Sequence, residues 1–193
     1  MTKIVRGNEM HITAGFSAEL RQSLMYRMGL YRHRVFVETL GWQMQCRDAL
    51  EFDQFDREDT LYIVAQNENG DVIGTARLLP TTRPYLLSEV FPNLLNGLPP
   101  PRSPEIWELS RFAAIDFSST TVAALDQFSS PMTTCLLRAA SRCAMEQGAR
   151  RMVTVSPLGV ERLLRRIGFQ SHRLGPPTFV NQQPLFACSI KCM

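Results

Sequence analysis

The stretch Ile106-Trp107-Glu108-Leu109-Ser110-Arg111-Phe112-Ala113 sets a carboxylate, a hydroxyl and a guanidinium inside what otherwise reads as an apolar β-strand. Burying such charges costs several kcal/mol unless they are paired. Glu108 and Arg111 therefore need partners within the protein or a task in chemistry. A glutamate held away from water can take a proton from a nucleophile. A serine hydroxyl and strand N–H groups can receive the charge that develops on a carbonyl oxygen. A structural ion pair at a strand edge would account for the same residues without any chemistry.

A second polar constellation lies upstream. Arg32 and Phe36 are four apart on a predicted helix and share a face, and Trp42 follows just past Gly41. An arginine flanked by two aromatics suits a ligand that joins a carboxylate to a cation or a flat base. An ordinary arginine at a helix C-terminus, beside core aromatics, is the plainer alternative. In Glu51-Phe52-Asp53-Gln54-Phe55-Asp56, phenylalanines alternate with acids. The rings can anchor a loop while Asp53 and Asp56 face a ligand or order an arginine; a solvated acidic loop is the alternative. Arg77, within Gly74-Thr75-Ala76-Arg77-Leu78-Leu79, is another cation in an apolar strand. Its most economical partner is a loop aspartate or Glu108.

These groups need elements to hold them. A helix is predicted over Ala18–Val37 with Ser17 as N-cap, its core stripe formed by Leu20, Leu24, Met28, Tyr31 and Val35. Strands are predicted at Leu61–Gln66 and Val72–Leu79, joined through Glu68-Asn69-Gly70-Asp71, a hairpin signal. A short helix over Leu86–Phe91 and a proline-rich connector lead into the Trp107 strand. Ser130-Pro131 opens a helix that stops at Gly148. A strand at Arg151–Ser156, a helix at Val160–Ile167 and a last strand at Leu185–Ile190 follow, while residues 46–59 read as a surface loop. The order β-α-β-β-(short α)-β-α-β-α-β describes a single domain over residues 1–193, with a mixed sheet flanked by helices. Helices after the fourth and fifth strands predict a parallel pair there.

Composition narrows the classes of function. With 193 residues, 45% hydrophobic and 20% charged, the chain reads as an ordinary globular protein. No apolar run is long enough for a membrane span, and the N-terminus has no signal-peptide core. The 5 cysteines form no Cys-x-x-Cys pair, and with only 3 histidines and no calcium-loop pattern a metal site is not expected. A cytoplasmic location with reduced thiols is the expectation. Charge is uneven along the chain. Residues 1–130 hold 12 Lys/Arg against 16 Asp/Glu, whereas residues 131–193 hold 9 Lys/Arg against Glu146 and Glu161 alone. A basic segment of this kind attracts an anionic partner, and arginine favours bidentate contact with phosphate or carboxylate.

Taken together, Arg32-x-x-x-Phe36, Trp42, Glu51-x-Asp53-x-Phe55-Asp56, Arg77-Leu78-Leu79 and Trp107-Glu108-Leu109-Ser110-Arg111-Phe112 resemble the acyl-homoserine-lactone synthase (autoinducer synthase) family. The resemblance runs from about Ser17 to Ile190. It implies an α/β, three-layer αβα sandwich similar to the GNAT acyltransferase fold, with a mixed twisted sheet. It also implies that an acyl chain delivered on acyl carrier protein is joined to the amine of S-adenosylmethionine, which is then lactonised with release of methylthioadenosine. S-adenosylmethionine is a substrate in that reaction, and no cofactor is implied. By the resemblance Arg32, Phe36, Trp42, Asp53, Asp56, Arg77, Glu108 and Arg111 occupy the family's functional positions.

Within that framework Glu108 is the expected general base, and Ser110 with the N–H groups around Arg111-Phe112 the expected oxyanion donors. Arg32 and Trp42 would hold the substrate curled for lactonisation, while Asp53, Asp56 and Arg77 order the covering loop. Thr154 falls where the family varies a residue facing the acyl pocket; a β-branched strand residue is the alternative. Arg150, Arg151, Arg162, Arg165, Arg166 and Arg173 are the expected carrier-protein contacts. The place of the glycine-rich pyrophosphate turn of coenzyme-A-dependent relatives reads Asp126-Gln127-Phe128-Ser129-Ser130, without glycine. Two other readings remain: a GNAT-like N-acyltransferase using acyl-coenzyme A on another amine, and a nucleic-acid-binding module built on the basic C-terminal part. The second leaves Glu108 and the acidic loop without a role, so no nucleic-acid partner is expected.

Overall fold

A computed structural model describes residues 3–7, 10–118 and 131–193. In chain order the strands are β1 (Lys3–Gly7), β2 (Met10–Phe16), β3 (Leu61–Gln66), β4 (Val72–Pro80), β5 (Ile106–Ala114), β6 (Arg151–Pro157), β7 (Ser171–Arg173), β8 (Thr178–Val180) and β9 (Gln183–Lys191). The α-helices are α1 (Gln22–Arg32), α2 (Leu86–Glu89), α3 (Pro131–Glu146) and α4 (Gly159–Arg166). Two compact units arise. Unit 1 takes Met1–Arg77 and Arg111–Ala139, and unit 2 takes Leu78–Ser110 and Ala140–Met193.

Unit 1 is built on the strand order β1-β2-β3-β4-β5, with β1–β2 and β2–β3 antiparallel. The predicted helical stripe is its core. Leu20, Leu24 and Met28 pack with Tyr62 and Val64, and Tyr31, Val35 and Phe36 pack with Ala113 and Ile115. Each such side chain contributes about 1.5–3 kcal/mol when fully buried. The first helix departs from its expected form at both ends. Ser17 heads a short 3-10 turn, Ser17–Glu19, and not the α-helix. The Glu19 carboxylate accepts the Phe16 N–H, and Leu20 then drops into the core in extended conformation, so α1 begins only at Gln22. Beyond Arg32 the chain widens into a π-helix, His33–Thr39, with the Leu40 N–H donating to Val35 O five residues back. Gly41, at φ 67°, ends it.

Unit 2 is built on the order β4-β5-β6-β9-β7, with β8 also on β9. The expected parallel pair is β5 with β6, whereas β6–β9, β7–β9 and β8–β9 are antiparallel. The β5–β6 register holds only from Ile106↔Arg151 to Glu108↔Val153, although β6 runs on to Pro157. The mixed α/β architecture is the expected one. Strands β7 and β8, 3 residues each, have no alternation that a sequence reading could catch. The Asp126–Ser130 turn site lies outside the described residues.

Candidate active site

Unit 1 places the acidic loop directly on α1. The Glu51 N–H donates to Gly29 O at 3.1 Å, and a Cβ at Gly29 would stand 2.6 Å from the Phe52 ring. Glycine in mid-helix costs about 0.5–1 kcal/mol against alanine; here it admits the loop. With Phe55 buried beneath it, the loop turns its acids inward, not toward solvent.

There they meet the arginines. Arg32 is fully buried. Its Nε donates to Glu51 Oε2 at 2.6 Å, and Nη1 and Nη2 fork onto Asp56 at 2.7 and 3.0 Å. Arg77 Nη1 donates to Asp53 Oδ1 at 2.6 Å and lies 3.2 Å from Asp56 Oδ2. Arg111 reaches both Glu51 oxygens and donates to Asp53 Oδ2 at 2.7 Å. The Tyr62 hydroxyl donates to Asp56 Oδ1 at 2.7 Å. Backbone N–H groups of Asp53 and Phe55 donate to Asp56 and Asp53, which fixes the turn. Burial alone would push the Asp56 carboxyl up, but the Arg32 and Arg77 guanidiniums and its hydrogen bonds overcome that and hold it below the ordinary carboxylate range. Burial, reinforced by the Asp56 charge, pushes the Tyr62 phenol up, so it stays a donor.

The geometry reassigns two expectations. Nε, Nη1 and Nη2 of Arg32 each donate to Glu51 or Asp56, so in this structure Arg32 orders the network. It is not the arginine between the aromatics. Phe36 and Trp42 stack on each other at 4.9 Å and 25°, and the guanidinium near both rings, at 5.6 and 5.8 Å, is that of Arg111. The π-helix and Gly41 bring Trp42 back onto Phe36, and Trp42 keeps 38% of its surface exposed. Arg111 itself sits at φ 49° within β5, a left-handed conformation costly for a residue with a Cβ. A regular strand would send Glu108 and Arg111 to opposite faces; the left-handed residue breaks that alternation.

Unit 2 holds the other member of the β5 pair. Glu108 is fully buried, with Oε2 accepting the Leu86 N–H at 2.9 Å and Oε1 the Leu87 N–H at 2.7 Å. It thus caps the first turn of α2. Ser110 is buried and Phe112 partly so. Thr154 is buried with its hydroxyl 3.4 Å from that of Ser156. The register puts Glu108 with Val153, so Thr154 is on the opposite face of the sheet from Glu108.

All six predicted docking arginines are exposed, but they do not share one face. Arg151 donates to Ser189 and lies beside His172 on one side of the sheet. Arg173 lies over the Phe186 ring on the other and pairs with Glu161 of α4 at 2.6 Å. Arg150 pairs with Glu105. Sequence reasoning gave no role to two residues of this network. Glu51 was legible as the first acid of the alternating run, and it proves the most buried one. Tyr62 looked like any strand aromatic. Among the described residues no group of His, Cys, Asp and Glu is placed to hold a metal ion, and no helix is long and apolar enough to cross a membrane.

The parallel β5–β6 register of the mixed sheet stops short, with the buried Glu108 carboxylate where it stops. The fold is similar to that of an acyl-CoA N-acyltransferase from Pseudomonas aeruginosa, at TM-score 0.66 and 15% identity over 93% of this chain and 98% of the other. Residues 17–193 match the sequence model of the Autoinducer synthase family, and the chain belongs to that family of acyltransferases. It is 52% identical to an acyl-homoserine-lactone synthase of Acinetobacter nosocomialis over 94% of this chain and 99% of the relative. Among solved structures it is similar to TofI in a ternary complex with an inhibitor and MTA, at TM-score 0.81 and 42% identity, covering 94% and 91% of the two chains. It is also similar to BjaI, a CoA-dependent acyl-homoserine lactone synthase with SAM and isopentyl-CoA, at TM-score 0.82 and 28% identity, covering 97% and 84%.

Proposed function

We propose that this chain makes an acyl-homoserine lactone from S-adenosylmethionine and an acyl chain carried on acyl carrier protein. The observation that carries the substrate assignment is the Phe36–Trp42 stack beside Arg111. A ring pair suits a sulfonium cation or an adenine face, and an arginine suits a carboxylate. Asp53 is the most exposed carboxylate of the network, at 20%, and is the one able to approach a cationic ligand. The MTA bound to TofI is the co-product that lactonisation would release.

Acylation requires a free amine, and an α-amino group has a pKa of about 7.7–8.0. Glu108, directly or through a bridging water, takes the proton as the nitrogen attacks the thioester carbonyl and the thiol leaves. General-base help of this kind is worth about 10²–10⁴-fold. Ser110 and the N–H groups at Arg111-Phe112 receive the oxyanion. In the second step the substrate's carboxylate attacks the carbon bonded to sulfur, and the C–S bond breaks to release neutral methylthioadenosine. Atoms and charge balance without any redox partner, so no cofactor is needed. That ring closure is intramolecular, so holding a curled conformer supplies much of its rate, up to about 7–11 kcal/mol in favourable cases.

The basic exposed surface of unit 2 supports a carrier protein as donor. A coenzyme A thioester is the second reading, favoured by the CoA-dependent BjaI. The two separate in one comparison, the same acyl chain offered on each carrier. A kcat/KM at least about tenfold higher on carrier protein is expected, and the reverse preference assigns coenzyme A. The reaction is placed in the cytoplasm.

A further inference from the structure

We infer that Phe179 and Leu158 form an apolar anchor for the acyl carrier protein, rimmed by Arg162 and Arg165 of α4. The inference rests on the carrier-protein reading above and adds to it a hydrophobic contact at one end of one face. Phe179 is 75% exposed, and a lone exposed ring of this kind would need no explanation. Its company gives it meaning.

β8 pairs with β9 through Phe179↔Pro184, and β7 pairs with the same strand through Arg173↔Cys188. Positions 184 and 188 are an even number apart, so Phe179 and Arg173 project to one face of the sheet, about 13 Å apart along β9. That face is the one α4 covers, because Arg173 is held by Glu161 of α4 and lies over Phe186. Leu158, 39% exposed, follows Pro157 and leads into α4, and Pro157 pairs with Leu185. Leu185 also pairs with Thr178, so Leu158 and Phe179 occupy the same end of the sheet.

That end is also where β6 runs on beyond its pairing with β5, past Glu108↔Val153. A carrier seated there would present its acyl thioester to the end of the interrupted ladder. α4 then supplies exposed Arg162 and Arg165 along the approach, with Glu161 the only acid on the helix and already paired. Aromatic and arginine side chains dominate binding energy at protein interfaces, and opposite charge speeds the encounter. An apolar centre with a basic rim fits a small acidic protein. Arg151, on the other face, lies outside this surface.

Steady-state kinetics on the whole chain tests this with one acyl chain offered on acyl carrier protein and on N-acetylcysteamine. Phe179→Ser should raise KM for the acyl-carrier protein about tenfold, the effect of an interface hot spot. Phe179→Trp should keep the wild-type value, and KM for S-adenosylmethionine and for the small thioester should stay within about twofold of wild type in both variants. An unchanged carrier-protein KM in Phe179→Ser, or an equal rise with the small thioester, overturns the anchor alone. A wild-type enzyme that gains nothing from the carrier protein overturns the donor reading and this surface with it.

Discussion

Arg111 closes on Glu51 from 60 residues away in sequence, its Nε 3.1 Å from both carboxylate oxygens and its Nη2 3.0 Å from Oε1. Arg32 holds the same carboxylate from α1. Glu51 is therefore the joint between the helix that carries the aromatics and the strand residue beside them. Removing it leaves two buried guanidiniums short of a counter-charge. Glu51→Ala should cost about 3–5 kcal/mol in urea unfolding, the usual penalty for one partner lost from a buried pair. It should also weaken S-adenosylmethionine binding in calorimetry, because Arg111 loses its mooring.

Gly29→Ala should also destabilise, against the propensity scale. An exposed helical glycine replaced by alanine gains about 0.5–1 kcal/mol. Here the new methyl would meet Phe52 at 2.6 Å and Leu50 at 3.1 Å, and must push away the loop that carries Glu51. A lower thermal midpoint is expected, and a higher one would mean that the loop does not rest on α1.

The acid limb of stability should bear the mark of Asp56. Its folded pKa lies below the unfolded value of about 3.9. The unfolded chain therefore binds the proton more readily, and stability rises with pH through this window. The contribution is fully present above the unfolded pKa and is lost as pH falls through the folded one. Urea midpoints of wild type and Asp56→Asn should differ most near pH 7 and draw together below about pH 4; a constant difference would contradict the assignment.

Glu108→Gln separates the capping role of this residue from its chemistry. Glutamine keeps one carbonyl oxygen for the α2 N–H groups but cannot take a proton. Turnover should fall at least tenfold, toward the about 10²–10⁴-fold of a lost general base, while S-adenosylmethionine binding persists. Turnover equal to wild type would leave Glu108 as a helix cap only.

Much of this was legible in the amino-acid sequence, and the reasons are specific. The Asn69-Gly70 hairpin is a local signal and produced the expected pair of strands, and the stripe from Leu20 to Val35 marked the buried residues correctly although only Gln22–Arg32 is α-helix. The polar intrusions at Arg77, Glu108 and Arg111 announced themselves because burying charge is costly. Which acid meets which arginine depends on tertiary distance, so the contacts of Arg32 with Glu51 and Asp56 were not readable from the sequence. The π-helix and the left-handed Arg111 were invisible, since no residue type marks either one. Arg111 did have a prior constraint: if Glu108 and Arg111 serve one site, three residues apart on one strand, its alternation must break between them. The strand has that break.

The central claim is that one chain couples amide formation to loss of methylthioadenosine. Purified protein given S-adenosylmethionine and an acyl-carrier protein should yield methylthioadenosine, free carrier thiol and acyl-homoserine lactone in equal amounts, followed by chromatography and mass spectrometry. Thiol release with an acylated amine and no methylthioadenosine, for every chain length tested on either carrier, would contradict it.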